Sequence, residues 1–170
     1  MLGRIHIGTL LGLLLSGMLF SSGCYSFKGI SIPADAQTFY VTDLENRIPT
    51  APSDLGQQFS EALKQKFINE SRLNFSDLNP DIEFSGEISR FSVTSVAPQP
   101  GESIAFNRLE ISVRMKYDYA LDEENNWENT FTFFQDYSRE QNLLDIQDGL
   151  ITVIFTQLTE DIFNKAFTNW

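Results

Sequence analysis

The sequence predicts an α+β fold: a two-layer sandwich in the order β-α-β-β-β-α, with a four-stranded mixed sheet and two helices on one face. Three observations predict it. Leu109, Ile111, Val113, Met115, Tyr117, Tyr119 and Leu121 hold odd positions, while Arg108, Glu110, Ser112, Arg114, Lys116 and Asp118 hold even ones. That is the period of a strand buried on one face and wet on the other. Leu55, Phe59, Ala62, Leu63 and Phe67 recur at helical spacing, and so do Ile151, Ile154, Phe155, Leu158, Ile162 and Ala166. A sheet with one apolar face places both helices on that face.

The chain divides into residues 1–23, a signal peptide; 24–36, a lipidated N-terminus and lead-in; and 37–170, one α/β domain. Arg4 lies in a short basic start, Ile7 to Phe20 is an uncharged apolar run, and Ser21, Ser22 and Gly23 are small. This is the order of an export signal. The run of 14 residues is shorter than the roughly 20 a spanning helix needs, and an uncleaved anchor is the competing reading. Two cleavage chemistries fit before Cys24. Ser21 and Gly23 suit an ordinary signal peptidase, whereas small residues directly before a cysteine resemble a lipobox. Ser21 stands where a lipobox usually has an aliphatic residue. Lipidation of Cys24 is the favoured reading, since the other cut leaves an unpaired thiol in an exported protein. With two or three acyl chains the anchor is firm.

Gln37 to Leu44 is rich in β-branched and aromatic residues and predicts the first strand. Ser53 and Asp54 read as an N-cap and first-turn acid for a helix running to Asn69 or Glu70. Asn74 to Asp81 is rich in turn residues. Ile82, Phe84, Gly86 and Ile88 then alternate with polar residues, and the phase slips before Phe91 and Val93, which predicts a bulge near Ser89–Arg90. Pro98 to Gly101 closes this strand. Asp122 to Asn126 makes a turn, and a fourth strand runs from Trp127 through Phe131 and Phe133 to about Tyr137. Ser138 to Leu144 reads as a polar loop, with Asp145 or Asp148 capping the last helix. The first strand and helix lead into a parallel crossover, and the last three strands form a meander.

One dimension stands out. Asn107 to Leu121 as one strand spans roughly 50 Å. A globule of this size has a diameter near 40 Å. The central hairpin therefore either coils strongly or projects.

Composition excludes several chemistries. Without residues 1–23 the chain has 147 of its 170 residues and a net charge of −12, because Arg4 is lost and all 23 acids stay. Such a chain is a poor match for nucleic acid or an anionic bilayer surface. It has no histidine, since His6 is in the signal, and no second cysteine. Ser-His-Asp and Cys-His catalysis and the usual zinc sites are therefore out of reach. No phosphate-cradling glycine motif occurs, and no cofactor is implied. Paired-carboxylate chemistry needs only acids, yet the acids here fall on wet strand faces and in turns such as Asp122-Glu123-Glu124. That turn lacks the ligand spacing of a Ca²⁺ loop. The expectation is a binding module and not an enzyme.

Arg108, Arg114 and Lys116 share one wet face, and Arg90 joins them from the neighbouring strand. Two readings stand side by side: cross-strand ion pairs with Glu83, Glu87 or Glu128, or a small cationic patch for the phosphates of an anionic lipid.

Several segments carry a family resemblance: Cys24-Tyr-Ser-Phe-Lys-Gly, Phe59-Ser-Glu-Ala-Leu-Lys, Phe84-Ser-Gly-Glu-Ile, Asn107-Arg-Leu-Glu-Ile-Ser-Val, Glu160-Asp-Ile-Phe-Asn-Lys-Ala and the terminal Asn169-Trp170. In this order they resemble the Bacteroidetes branch of the LptE family, the lipoprotein component of the outer-membrane lipopolysaccharide translocon. The resemblance implies an α/β sandwich held in the outer membrane on its periplasmic side by acylated Cys24. It implies a plug within the lumen of the barrel protein LptD, a role in that barrel's assembly, and lipopolysaccharide as a candidate ligand. The alternative is a free lipoprotein that carries a lipid or apolar ligand in its own cavity, which requires a large apolar pocket between sheet and helices.

Overall fold

A computed structural model describes residues 31–97 and 105–168. The elements are β1 (Thr38–Val41), β2 (Glu45–Asn46), α1 (Leu55–Glu70), β3 (Asn74–Phe75), β4 (Ile82–Val96), β5 (Phe106–Tyr119), a 3-10 turn at Glu123–Asn125, β6 (Trp127–Ser138) and α2 (Leu143–Phe167). The class is the expected one, α+β with a mixed sheet.

The sheet has six strands instead of four. Its order is β3-β1-β4-β5-β6, with β2 also paired to β4. The added strands are two-residue ladders, Asn74 and Phe75 beside β1 and Glu45 and Asn46 beside β4. Two residues carry no periodicity, so composition alone reads them as loop. β1 lies parallel to β4, with Phe39 opposite Ile82 and Val41 opposite Phe84. β4, β5 and β6 form the antiparallel meander. The β4–β5 register shifts between Ile88 and Arg90, at the expected bulge. The bulge lets Ile88 and Phe91 both face the core.

Helix starts differ from the sequence reading. Asp54 holds the N-cap position of α1, but its side chain accepts from the Gln58 amide at 2.8 Å and from no backbone N–H. α2 begins three or six residues earlier than expected, and Asn142, not Asp145 or Asp148, caps it through the Leu144 N–H. Asn is as good a cap as Asp, and the polar run before it hid the helix start.

The core is aromatic. Phe67 of α1 stacks on Phe84 of β4 at 4.5 Å between centroids, and meets Phe39 at 5.4 Å and Phe167 of α2 at 5.6 Å. Phe59 meets Phe155 edge to face at 4.9 Å. Leu109, Ile111, Val113 and Met115 of β5 are fully buried beneath them. Both helices thus share the sheet's one apolar face. Lys66 of α1 adds a polar clasp, reaching Glu160 of α2 and, at 2.7 Å, Glu70.

The hairpin's length is resolved by its neighbours. α1 packs on β1, β2, β3 and the start of β4, and covers one end of the sheet. Beyond Phe91 the core-side Val93 is 43% exposed. There the three strands of the meander run on together, from Leu109–Gln135 to Phe106–Ser138, and α2 starts beside them. The structure is a two-helix body with a three-stranded arm.

Candidate functional site

The outer face of β4–β5–β6 carries the four cations singled out from sequence, and each has a carboxylate. Arg114 Nη1 lies 2.9 Å from Glu87 Oε1 on the directly opposite position of β4, and its Nε lies 3.8 Å from Glu128 of β6. Arg90 Nη1 lies 3.1 Å from Glu110. Lys116 Nζ lies 2.6 Å from Asp118, and that bond pushes the Lys116 ammonium above its ordinary range, with the nearby Glu128 and Glu83 adding to it. Arg108 makes the firmest pair: Nε and Nη2 donate to both oxygens of Asp136, at 2.7 and 2.9 Å. This forked bond raises the Arg108 guanidinium and lowers the Asp136 carboxyl. Between these pairs the Ser112 and Thr132 hydroxyls meet at 2.8 Å.

The geometry is that of ion-paired strands. Alternation puts Glu83, Glu87, Glu110, Asp118, Glu128 and Asp136 on the face that holds Arg90, Arg108, Arg114 and Lys116, so acids outnumber bases. Such a face is polar and densely hydrogen-bonded, with little positive field to offer a phosphate.

Two participants escaped the sequence reading. Phe134 falls on an even position of β6 and so on the polar face, where it is 41% exposed. Its ring lies 3.5 Å beneath the Arg108 guanidinium. Asp136 completes that cluster. The period of β6, read in register with β5, places both.

The second feature is the end where the described chain begins. Ser31 N–H donates to the carbonyl of Phe167, the last residue of α2, at 2.6 Å. Arg72 donates to the carbonyls of Ala36, at 2.7 Å, and Pro33. Tyr119 hydroxyl donates to Asp35 at 2.6 Å; burial and that carboxylate together raise the phenol, and the bond lowers Asp35. A groove of about 660 Å³ opens here, with Asp35, Asp122, Glu124, Tyr117 and Trp127 among its walls. Burial pushes Tyr117 up to about 12. Cys24 itself lies outside the described residues.

Among the described residues no cluster of His, Cys, Asp or Glu is arranged to hold a metal, and no helix is long and apolar enough to cross a membrane. Between sheet and helices the described residues pack a phenylalanine cluster, and the groove beside Asp35 and Trp127 lies at the end of the sheet, outside that layer.

Comparison with known proteins places this geometry. Protein XCC0632 from Xanthomonas campestris shares the fold with a TM-score of 0.54 and 12% identity, over 79% of this chain and 87% of that one. A PelC dodecamer from Paraburkholderia phytofirmans, a single-site variant, matches with a TM-score of 0.50 and 12% identity, over 79% and 89%. A minor lipoprotein from Acinetobacter baumannii is more distant, with a TM-score of 0.45 and 12% identity over 76% and 91%. No curated protein matches by sequence. At these identities the first two neighbours speak for the fold alone. The LptE lipopolysaccharide-assembly family model, however, matches residues 36–166, from the lead-in through nearly all of α2. The chain therefore belongs to the LptE lipopolysaccharide-assembly family.

Proposed function

We propose that this protein is an outer-membrane lipoprotein, held on the periplasmic side by acylated Cys24, that serves as plug and assembly partner of an LptD-type barrel in lipopolysaccharide transport. The observation that carries the reading is the family match across residues 36–166. The outer sheet face supports it. Barrel interiors are polar, and a face whose cations are already paired can enter one without stranding a bare positive charge. The anchored end supports the placement. Six residues lie between Cys24 and Ser31, a reach of at most about 25 Å. The end bearing Ser31, Tyr119 and Phe167 therefore stays close to the bilayer, and the three-stranded arm extends away from it.

The competing reading, a free carrier of a lipid or apolar ligand, needs a cavity in the apolar layer. Phe39, Phe67, Phe84 and Phe167 occupy that layer with ring-to-ring contacts.

Affinity purification of the full chain from detergent-solubilised outer membrane tests the proposal. The expected result is a large barrel protein recovered with this chain, and a diacylglycerol-bearing Cys24 in the N-terminal peptide. Recovery of a partner-free monomer overturns it.

A further inference from the structure

Among the described residues, β6 is an unguarded sheet edge. It is the last strand in the order β3-β1-β4-β5-β6 and runs for 12 residues. Its pairing with β5 is continuous from Trp127–Tyr117 to Ser138–Phe106, with no bulge. It contains no proline and no lysine. Those are the devices that usually blunt an edge. The opposite edge differs: β1, β2 and β3 are four, two and two residues long, and the free part of β4 follows a bulge.

The direction of the free hydrogen bonds follows from the register. Arg139 N–H donates to Ala105, so that pair is hydrogen-bonded, and alternation makes the odd residues of β6 bond to β5. Glu128, Thr130, Thr132, Phe134 and Asp136 then turn their N–H and C=O groups outward. Among the described residues, the Gln135 amide reaches the Asp136 carbonyl at 3.4 Å, and no other bond to these backbone groups comes from outside the sheet. The side chains of these same residues lie on the polar face, where Phe134 and Glu128 are exposed.

We infer that β6 accepts an extended segment of the assembly partner as an added strand; the identity of that partner rests on the barrel reading above. The occupant is a polypeptide strand, because only extended backbone matches a row of alternating donors and acceptors. Its chemistry follows from the edge: a basic residue faces Glu128, whose ion pair among the described residues, with Arg114, is 3.8 Å long while Arg114 is held by Glu87 and the neighbouring Lys116 by Asp118, and an apolar or aromatic residue faces Phe134. A second copy of this chain is a poor occupant. Two antiparallel β6 strands centred on Thr132 set Glu128 against Asp136 of the other copy and join two strongly acidic chains. The wall of a closed barrel has no free strand, so the segment comes from a loop or from chain outside the barrel.

Thr130 supplies the test, since it is exposed, its backbone N–H points outward and its side chain has no hydrogen-bond partner among the described residues. Proline at such a position removes the outward donor and leaves the β5 ladder whole. The full chain is purified from detergent-solubilised outer membrane as wild type, Thr130→Ala and Thr130→Pro. The expected result is unchanged barrel recovery for Thr130→Ala and a fall of about tenfold or more for Thr130→Pro, with the melting of the isolated chain unchanged. Thr130→Pro that keeps both its fold and the barrel overturns the strand proposal alone; wild type that recovers no barrel overturns the barrel reading and this one together. If Thr130→Pro fails to fold, hydrogen exchange of wild type decides: residues 127–138 gain protection in the complex relative to the free chain, and an unchanged exchange rate overturns the inference.

Discussion

Thr38 and Asp81 hold each other at both backbone and side chain. Asp81 Oδ2 accepts from the Thr38 N–H and hydroxyl, both at 2.9 Å, and from the Gln37 N–H at 2.8 Å, while Asp81 N–H donates to the Thr38 hydroxyl at 3.0 Å. These bonds join the start of β1 to the start of β4, across 43 residues of chain, and hold the Asp81 carboxyl below its ordinary range, the Gln37 N–H first among the causes. A lowered folded value means the stabilisation is complete above the unfolded value near pH 4, and is lost as the pH falls through the folded one. Asp81→Asn is expected to destabilise by about 1–2 kcal/mol at pH 7, the near-surface position keeping it at the low end of charged hydrogen bonds. The difference from wild type closes as the pH falls through the lowered folded value. Urea unfolding at pH 7 and in acid measures it.

Ser60 is a buried polar residue with full satisfaction. Leu44 N–H donates to its Oγ at 2.9 Å, and its hydroxyl lies 3.0 Å from the carbonyls of Thr42 and Gly56. It fastens α1 to the segment after β1. Ser60→Ala strands the buried Leu44 N–H and is expected to cost about 1–3 kcal/mol in chemical denaturation.

Gly56 lets α1 start against that same segment. A Cβ built there falls 2.1 Å from the Leu44 carbonyl oxygen, which is backbone and cannot swing aside. Alanine in a helix gains about 1 kcal/mol over glycine. Overpacking against fixed atoms costs typically 1–3 kcal/mol and here outweighs that gain. Gly56→Ala should therefore lower the unfolding midpoint, and a raised one would contradict the close approach.

The polar sheet face makes two expectations. Arg114 is half exposed, and its pairs with Glu87 and Glu128 lie at the surface. Arg114→Ala should change stability by no more than about 0.5 kcal/mol. The same pairs mask positive charge. Glu87→Gln combined with Asp136→Asn frees Arg114 and Arg108, and should raise binding to anionic lipid vesicles above the wild-type level in a sedimentation assay, with the gain lost in high salt. Equal binding by both proteins would show that the acids do not mask the face.

Much of this fold could be read from residue spacing. β5 declared itself because six apolar residues, Leu109 to Tyr119, keep strict alternation, and a one-residue slip would have turned all of them to water; Leu121, expected to continue the stripe, lies past the strand in the turn and is 58% exposed. The bulge at Ser89 was readable as a phase change between Ile88 and Phe91. β2 and β3 were not, because a two-residue ladder depends on where a neighbouring strand passes and leaves no mark in composition. The outer face was half legible. Strand period put Arg90, Arg108, Arg114 and Lys116 on one side, but their partners depend on register: Arg108 meets Asp136 only because β5 and β6 align at that pair. Phe134 carried a signal that the eye passes over, an aromatic on the polar phase beside two aromatics on the apolar one.

The tie between Ser31 and Phe167 also decides where mechanical load goes. Under the anchor proposed at Cys24, a tug that reaches Ser31 meets the Ser31–Phe167 bond and the Arg72 grip on Pro33 and Ala36. The pull enters at the end of α2 and the loop after α1, both rooted in the phenylalanine cluster, before it reaches the sheet. β1 has only four residues and would peel easily if drawn from its end. Under the lipid anchor proposed above, the lead-in works as strain relief, like the clamp where a cable enters its housing: drag that reaches Ser31 is borne by the core and the short strand behind it is spared.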